Sequence, residues 1–190
     1  ALFAATPQGE PAQAWLICDH AAQRRYGIGW AKPFPFPTRI YQRCGYLHKG
    51  DSLAQLAQRC GIDAAQLQCT VAAFNQHAAQ GLDPVYGRGA SAYNRAQGEP
   101  LHGPNPSLRP LLNGPFYAVR LSPGSLGTFA GLATDAAARV LNEQAQPIPG
   151  LYAVGNDMHS VMGGHYPSGG ITLGPGMTFG YIAGMALSSS

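Results

Sequence analysis

The sequence LYAVGND at residues 151–157 is followed, after a short spacer, by GGHYPSGGITLG at residues 163–174. The first stretch is an apolar run of strand length that ends in polar residues, where open α/β sheets bind ligands. The second is a glycine-rich loop before an apolar segment; glycines let backbone N–H groups approach an anion, and a helix N-terminus attracts one. We therefore expect a buried strand and a ligand-binding loop, with a tight structural turn as the alternative for the glycine loop.

The apolar segment from Ile171 to Leu187 contains no charged residue and places Gly176, Gly180 and Gly184 four residues apart. Small residues at this spacing let a helix pack closely against a neighbour. A membrane span is the alternative, but a span needs at least about 17 residues and flanking anchors. Because the segment only reaches that length and has Pro175 in its first turn, we expect a buried helix and no membrane span.

Three further strands and an irregular region precede this segment. The sequence predicts strands at Phe116–Leu121 and Arg139–Leu141, and a third at Leu151–Val154 within the opening motif. Residues 83–114 are rich in turn-forming residues and show no sustained periodicity. We therefore place a boundary between two parts of the chain at residues 113 and 114.

The N-terminal part predicts a strand followed by two capped helices. Residues 14–19 form a short apolar run, and the prolines of residues 33–37 predict a stiff surface loop. Asp51 or Ser52 can cap a helix that ends at Gly61, and Asp63 can cap a second. This arrangement also describes a DNA-binding helix-turn-helix, but residues 64–80 contain no Lys or Arg to contact phosphates. We therefore expect no nucleic-acid partner.

The composition describes a globular chain with unusually few charges. Of the 190 residues, 45% are hydrophobic and 11% are charged, against a typical charged share of roughly 25%. The four cysteines lack metal-ligand spacing, so we expect no metal and a reducing, cytoplasmic setting. The N-terminus lacks an initiator Met and a signal-peptide pattern, so we expect the chain to be part of a longer protein.

The C-terminal motifs resemble the FAD-contacting motif of the 3-ketosteroid dehydrogenase branch of the fumarate reductase flavoprotein superfamily. The similarity rests on GLYAVGND at residues 150–157 and on GGHYPSGGITLGPGMTFGYIAG at residues 163–184, and extends more loosely through GTFAGL at residues 127–132. The resemblance implies an α+β fold. Residues 1–113 would belong to a substrate-covering domain, and residues 114–190 would be the C-terminal segment of a Rossmann-like FAD-binding domain.

The resemblance also implies the chemistry, hydride transfer from a ketone substrate to FAD. Tyr166 and the backbone amide of Gly170 would hold the ketone oxygen, because two donors stabilise the enolate that forms next to it. The implied cofactor contacts lie at the flavin pyrimidine edge, from Thr172, Leu173 and Gly174, and along the ribityl and phosphate path, from Gly155 and Asn156. Asp157 would either bind the ribityl chain or cap a turn.

Three functions remain at this point, and the ketone dehydrogenase just described is the first. A fumarate-reductase-like flavoprotein could act on another enone or acid, although that branch carries an arginine and a histidine where Tyr166 and Gly127 stand. No Lys or Arg follows Arg139 to pair with a buried dianion, which favours a neutral ketone. A cofactor-free interaction module is the third alternative.

Two family features have no match in this chain. The dinucleotide fingerprint is absent, and we expect the catalytic base to precede Ala1. We therefore expect the isolated chain to be inactive and to bind the N-terminal part of the same flavoprotein. The low share of charged residues is what such a contact surface needs.

Overall fold

The computed structural model describes residue 4 and residues 6–125 and 127–188, and the structural statements below concern those residues. The chain forms two compact units, Ala1–Pro123 and Gly124–Ser190. Both units combine helices and strands. The first unit extends to residue 123, because the strand Phe116–Leu121 is hydrogen-bonded within it.

The first unit is built on a three-stranded antiparallel sheet. Its strands are β1 (Ala14–Cys18), β2 (Leu47–Gly50) and β3 (Phe116–Leu121), and β3 lies in the centre. Val119 of β3 pairs with Leu16 on one side and with Leu47 on the other. The central position explains why the first four residues of β3 are buried. The strand predicted at Phe116–Leu121 is confirmed, and the strand predicted at residues 14–19 ends one residue earlier.

Two short helices connect β1 to β2, and the predicted helix pair follows. The four helices are α1 (His20–Tyr26), α2 (Arg39–Arg43), α3 (Leu53–Cys60) and α4 (Ala64–Ala78). The Ser52 hydroxyl accepts from the backbone N–H of Gln55, and Gly61 ends α3 at a φ of 67°. Asp63 accepts from the N–H of Gln66 at 2.6 Å. The predicted caps of both helices are confirmed.

The helix pair covers one face of the sheet. Leu56 and Ala57 of α3 are fully buried, Leu56 against Phe116 of β3 and Ala57 against Val71 of α4. A fifth helix, α5 (Ala92–Ala96), interrupts the region for which the sequence predicts no regular element. Its five residues are too few to produce a hydrophobic period.

The second unit contains a hairpin and a long helix. Strands β4 (Arg139–Leu141) and β5 (Pro147–Tyr152) pair antiparallel, and the turn Gly155–Asp157 is a 3-10 helix. The helix α6 spans Leu173–Ser188. A small core of Val140, Ala153 and Met158, with Phe179 of α6 packed against it, joins these elements.

Two predictions for this unit are wrong. The third strand ends at Tyr152 instead of Val154, and its side chains are largely exposed because, within the described residues, β5 pairs only with β4. The helix α6 is predicted to be buried, but Ala183 is its one buried residue among those described. Phe179 is the residue of α6 that packs against the small core. No described helix is long and apolar enough to cross a membrane.

Candidate functional site

The second unit contains a cavity of about 390 Å³. Its lining residues come from three parts of the chain: residues 124–125 and 127–129, residues within 155–161, and residues within 166–175. The second part overlaps the end of LYAVGND, the third overlaps the end of GGHYPSGGITLG, and the first contains the start of GTFAGL. The cavity therefore lies where the sequence places its glycine-rich loops.

Beside the cavity, a close backbone contact joins the two segments that carry its lining residues Phe129 and Met158. The N–H of Leu132 donates to the carbonyl of Asp157, and the N–H of His159 donates to the carbonyl of Leu132, both at 2.9 Å. Gly131 lies between these bonds, where an added Cβ would be 2.5 Å from the carbonyl carbon of Met158. Only a residue without a side chain permits this approach, since real Cβ contacts are not closer than 3.0 Å.

The N-terminus of α6 forms one wall of the cavity. An added Cβ on Gly155 would lie 3.6 Å from the Cα of Gly176, so the 3-10 turn packs directly against the first turns of the helix. The backbone N–H groups of Ile171, Thr172 and Leu173 have no hydrogen-bond partner among the described residues. Ile171 and Thr172 line the cavity, so these donors and the positive end of the helix dipole are available beside it.

Tyr166 stands at the edge of the cavity. Its side chain is 47% exposed, and its ring lies edge-to-face against Phe129, with 6.3 Å between the ring centroids. Its hydroxyl has no hydrogen-bond partner in the described part of the chain. The phenol is therefore held by ring packing while its O–H remains free to donate to a ligand.

The structure brings half of the predicted site residues to the cavity. Four line it: Gly155, Asn156, Tyr166 and Thr172. The other four do not line the cavity, although each is next to a lining residue in the sequence. They are Asp157, Gly170, Leu173 and Gly174. The roles assigned to all eight remain predictions.

The residues outside the lining have structural contacts. The carbonyl of Gly170 accepts from the N–H of Gly174 at 2.7 Å, which connects the glycine loop to the first turn of α6. The carbonyl of Asp157 accepts from Leu132, as expected of a residue that stabilises a turn. The side chain of Leu173 is 72% exposed.

Several lining residues were not predicted. These include Phe129, Met158, Ser160 and Val161. The available signal was GTFAGL, which the resemblance already includes, since Phe129 is its third residue. The apolar residues after Asp157 carry no pattern that distinguishes a cavity wall from a core.

The cavity is uncharged. Among the described residues that line it, none is Asp, Glu, Lys, Arg or His. Elsewhere in the unit, Arg139 donates to Asp135 and lowers the pKa of that carboxyl. All four cysteines are free thiols, and no group of three metal-ligating residues occurs in the described ranges. The uncharged lining of the cavity suits a ligand that combines a flat apolar surface with hydrogen-bond acceptors.

Comparison with known proteins identifies relatives of the whole chain. The family described as FAD binding domain matches residues 1–173. The 4-oxocyclohex-2-ene-1-carboxylate 5-dehydrogenase of Sinomonas cyclohexanicum is 49% identical, over 90% of this chain and 29% of that protein. The 3-oxosteroid 1-dehydrogenase of Mycolicibacterium smegmatis is 41% identical, over 96% of this chain and 32% of that protein.

A solved structure shares the fold. The crystal structure of 3-ketosteroid delta1-dehydrogenase from Sterolibacterium denitrificans, in complex with 1,4-androstadiene-3,17-dione, matches with a TM-score of 0.84 and 39% identity. The match covers 93% of this chain and 32% of that one. The chain therefore spans about a third of the length of the relatives it matches.

Proposed function

This chain belongs to the FAD binding domain family, and from this we propose that it forms part of an FAD-dependent dehydrogenase that introduces a carbon–carbon double bond next to a ketone. The proposed substrate is a cyclic ketone of the 3-ketosteroid type. The named relatives support this class, since they include dehydrogenases of oxosteroids and of an oxocyclohexene carboxylate. We assign residues 1–113 to a substrate-covering domain and residues 114–190 to the FAD-binding domain.

One observation carries the proposal. The cavity of the second unit brings Tyr166, a free O–H donor, together with Thr172 at the N-terminus of α6 and with Asn156. A ketone oxygen requires donors, and a cofactor that becomes anionic on reduction requires donors without nearby negative charge. The uncharged lining meets both requirements, and it offers no cation for a dicarboxylate.

The residues present fit the edge of a flavin. The unpaired N–H groups of Ile171, Thr172 and Leu173 would hold its pyrimidine side, with Gly174 completing that turn of the helix. Gly155 and Asn156 would contact the ribityl chain, and we retain Asp157 as a further contact there. FAD supplies, when bound, the acceptor for a hydride from the substrate.

The protein's own part in the reaction is to stabilise the enolate. Tyr166 would donate its O–H to the ketone oxygen, and the N–H of Gly170 would be the second donor. Negative charge on that oxygen rises when the adjacent carbon loses a proton, so donors fixed beforehand lower the barrier. Because Tyr166 acts as a donor in this proposal and no other described lining residue carries a carboxylate, an imidazole or a phenol, we propose a proton acceptor outside the lining.

Further observations support a proposed partner and a proposed cellular location for the protein. The exposed apolar face of α6 supports packing against the remaining part of the flavoprotein, because an uncovered face of this kind marks an interface. Four free thiols support a reducing, cytoplasmic location. The family match favours this flavin-dependent function over a cofactor-free interaction module.

The test uses the full-length protein that contains this chain. Purified protein should keep a visible flavin spectrum after desalting, and anaerobic addition of a saturated 3-ketosteroid should bleach it. Fumarate with a reductant is the control for the dicarboxylate alternative. Protein without flavin, or flavin that cyclic ketones fail to reduce, would contradict the proposal.

A further inference from the structure

The first unit carries a surface on which cations and exposed aromatic rings alternate. We propose that this surface, Arg24, Lys32, Phe34, Phe36 and Arg39, binds the protein to the face of an anionic lipid bilayer. The inference concerns residues that have no part in the cavity of the second unit, and it stands independently of the proposed function.

The charge of this region is strongly one-sided. Between Asp19 and Asp51 the sequence has no acidic residue, yet it holds six of the chain's 12 Lys and Arg residues. Two of the six have carboxylate partners, Arg25 with Glu99 and Lys49 with Asp51. The remaining four, which have no carboxylate partner within the described ranges, are Arg24, Lys32, Arg39 and Arg43. An anionic surface would supply the missing counter-charge.

The aromatic rings beside these cations point to a bilayer as the partner. Phe34 is 62% exposed and Phe36 is 54% exposed, and both lie on the proline-rich loop. The guanidinium of Arg24 lies 4.2 Å from the centroid of the Phe34 ring, and the Lys32 ammonium lies 5.1 Å from that of Phe36. A basic surface with exposed aromatic side chains can place its rings among lipid headgroups while its cations meet the phosphates.

The surface is preorganised by its backbone. The N–H of Phe34 donates to the carbonyl of Arg24, and the Gln23 side chain donates to the carbonyl of Lys32. Arg24 of α1, Phe34 and Phe36 of the loop, and Arg39 of α2 together line a shallow cavity, so the three elements meet in one place. Because prolines also restrict the loop, little conformational entropy remains to be lost on binding.

The experiment is co-sedimentation of the full-length protein with vesicles. Binding is expected to phosphatidylcholine vesicles that contain phosphatidylglycerol, to weaken with added salt, and to be much lower on pure phosphatidylcholine. The variant Lys32→Gln/Arg39→Gln should lower the partition coefficient roughly thirtyfold. Arg95→Gln/Arg120→Gln removes the same net charge elsewhere and should have a much smaller effect.

The aromatic contribution separates a bilayer from other polyanions. Phe34→Ala/Phe36→Ala should lower vesicle binding by roughly tenfold or more, whereas the control Tyr86→Ala/Tyr93→Ala should not. Circular dichroism checks that each variant is folded. The proposal is overturned if the protein does not bind anionic vesicles at low salt. It is also overturned if Lys32→Gln/Arg39→Gln and the control Arg95→Gln/Arg120→Gln weaken binding equally. It is also overturned if the phenylalanine variant binds vesicles like wild type, which would assign the surface to polyanions such as nucleic acid.

Discussion

Gly131→Ala tests whether the cavity depends on the direct backbone contact that joins two of its lining segments. The added Cβ would lie 2.5 Å from the carbonyl carbon of Met158, whereas ordinary contacts begin at 3.4 Å, so the segments must separate by about 0.9 Å. Such a shift would break the two bonds of Leu132, to Asp157 and from His159, which are now 2.9 Å long. At about 1 kcal/mol each, the loss is about 2 kcal/mol.

The assay is thermal unfolding of the full-length protein, followed by circular dichroism and by release of flavin. A loss of about 2 kcal/mol corresponds to a decrease in Tm of about 4–8 °C for a cooperatively unfolding unit of roughly 150–250 residues. Gly169→Ala is the matched control, because a Cβ there meets nothing within 4 Å. If Gly131→Ala and the control unfold at the wild-type temperature, the reasoning from backbone contact is refuted.

Three further outcomes follow from the first unit. Leu56 is fully buried, so Leu56→Ala should lower the free energy of unfolding by about 3 kcal/mol in a urea titration, and a loss near zero would contradict the core assignment. Asp63→Ala removes the cap of α4 and should cost about 1 kcal/mol, whereas unchanged stability would show the cap to be unimportant. Burial, with a smaller contribution from Asp19, raises the pKa of Cys18 from 9.0 to about 12. The neutral thiol therefore stabilises the fold below pH 9, and this contribution is lost as pH rises towards 12. The difference in free energy of unfolding between wild type and Cys18→Ala should therefore fall in that range. A difference that stays constant with pH would contradict this prediction.

Elements set by neighbouring residues could be predicted from the sequence. The caps at Ser52 and Asp63 and the stop at Gly61 act within one helical turn, so they require no knowledge of the rest of the fold. The strand Phe116–Leu121 was found from its apolar run. Its place at the centre of a sheet depends on β1 and β2, which are distant in sequence, so the apolar run alone does not show that this strand packs within the first unit.

Burial could not be predicted in the same way. The composition of Leu173–Ser188 indicates a helix that avoids water, yet Met177 and Tyr181 are more than 70% exposed. Hydrophobicity indicates that a helix face is stabilised by packing against another surface, but it does not show whether the described chain provides that surface. At the cavity, the glycine motifs located Tyr166 and Thr172, whereas Met158 and Val161 are brought there by tertiary contacts alone.

The turnover of Tyr166→Phe tests the central claim most directly. The substitution keeps the ring that packs against Phe129 and removes only the O–H, so the fold and flavin content should match wild type. With a 3-ketosteroid as substrate, the account predicts that kcat falls by about 10²–10³-fold, the effect of losing one donor to the developing oxyanion. A flavin-loaded Tyr166→Phe enzyme with wild-type kcat would contradict it.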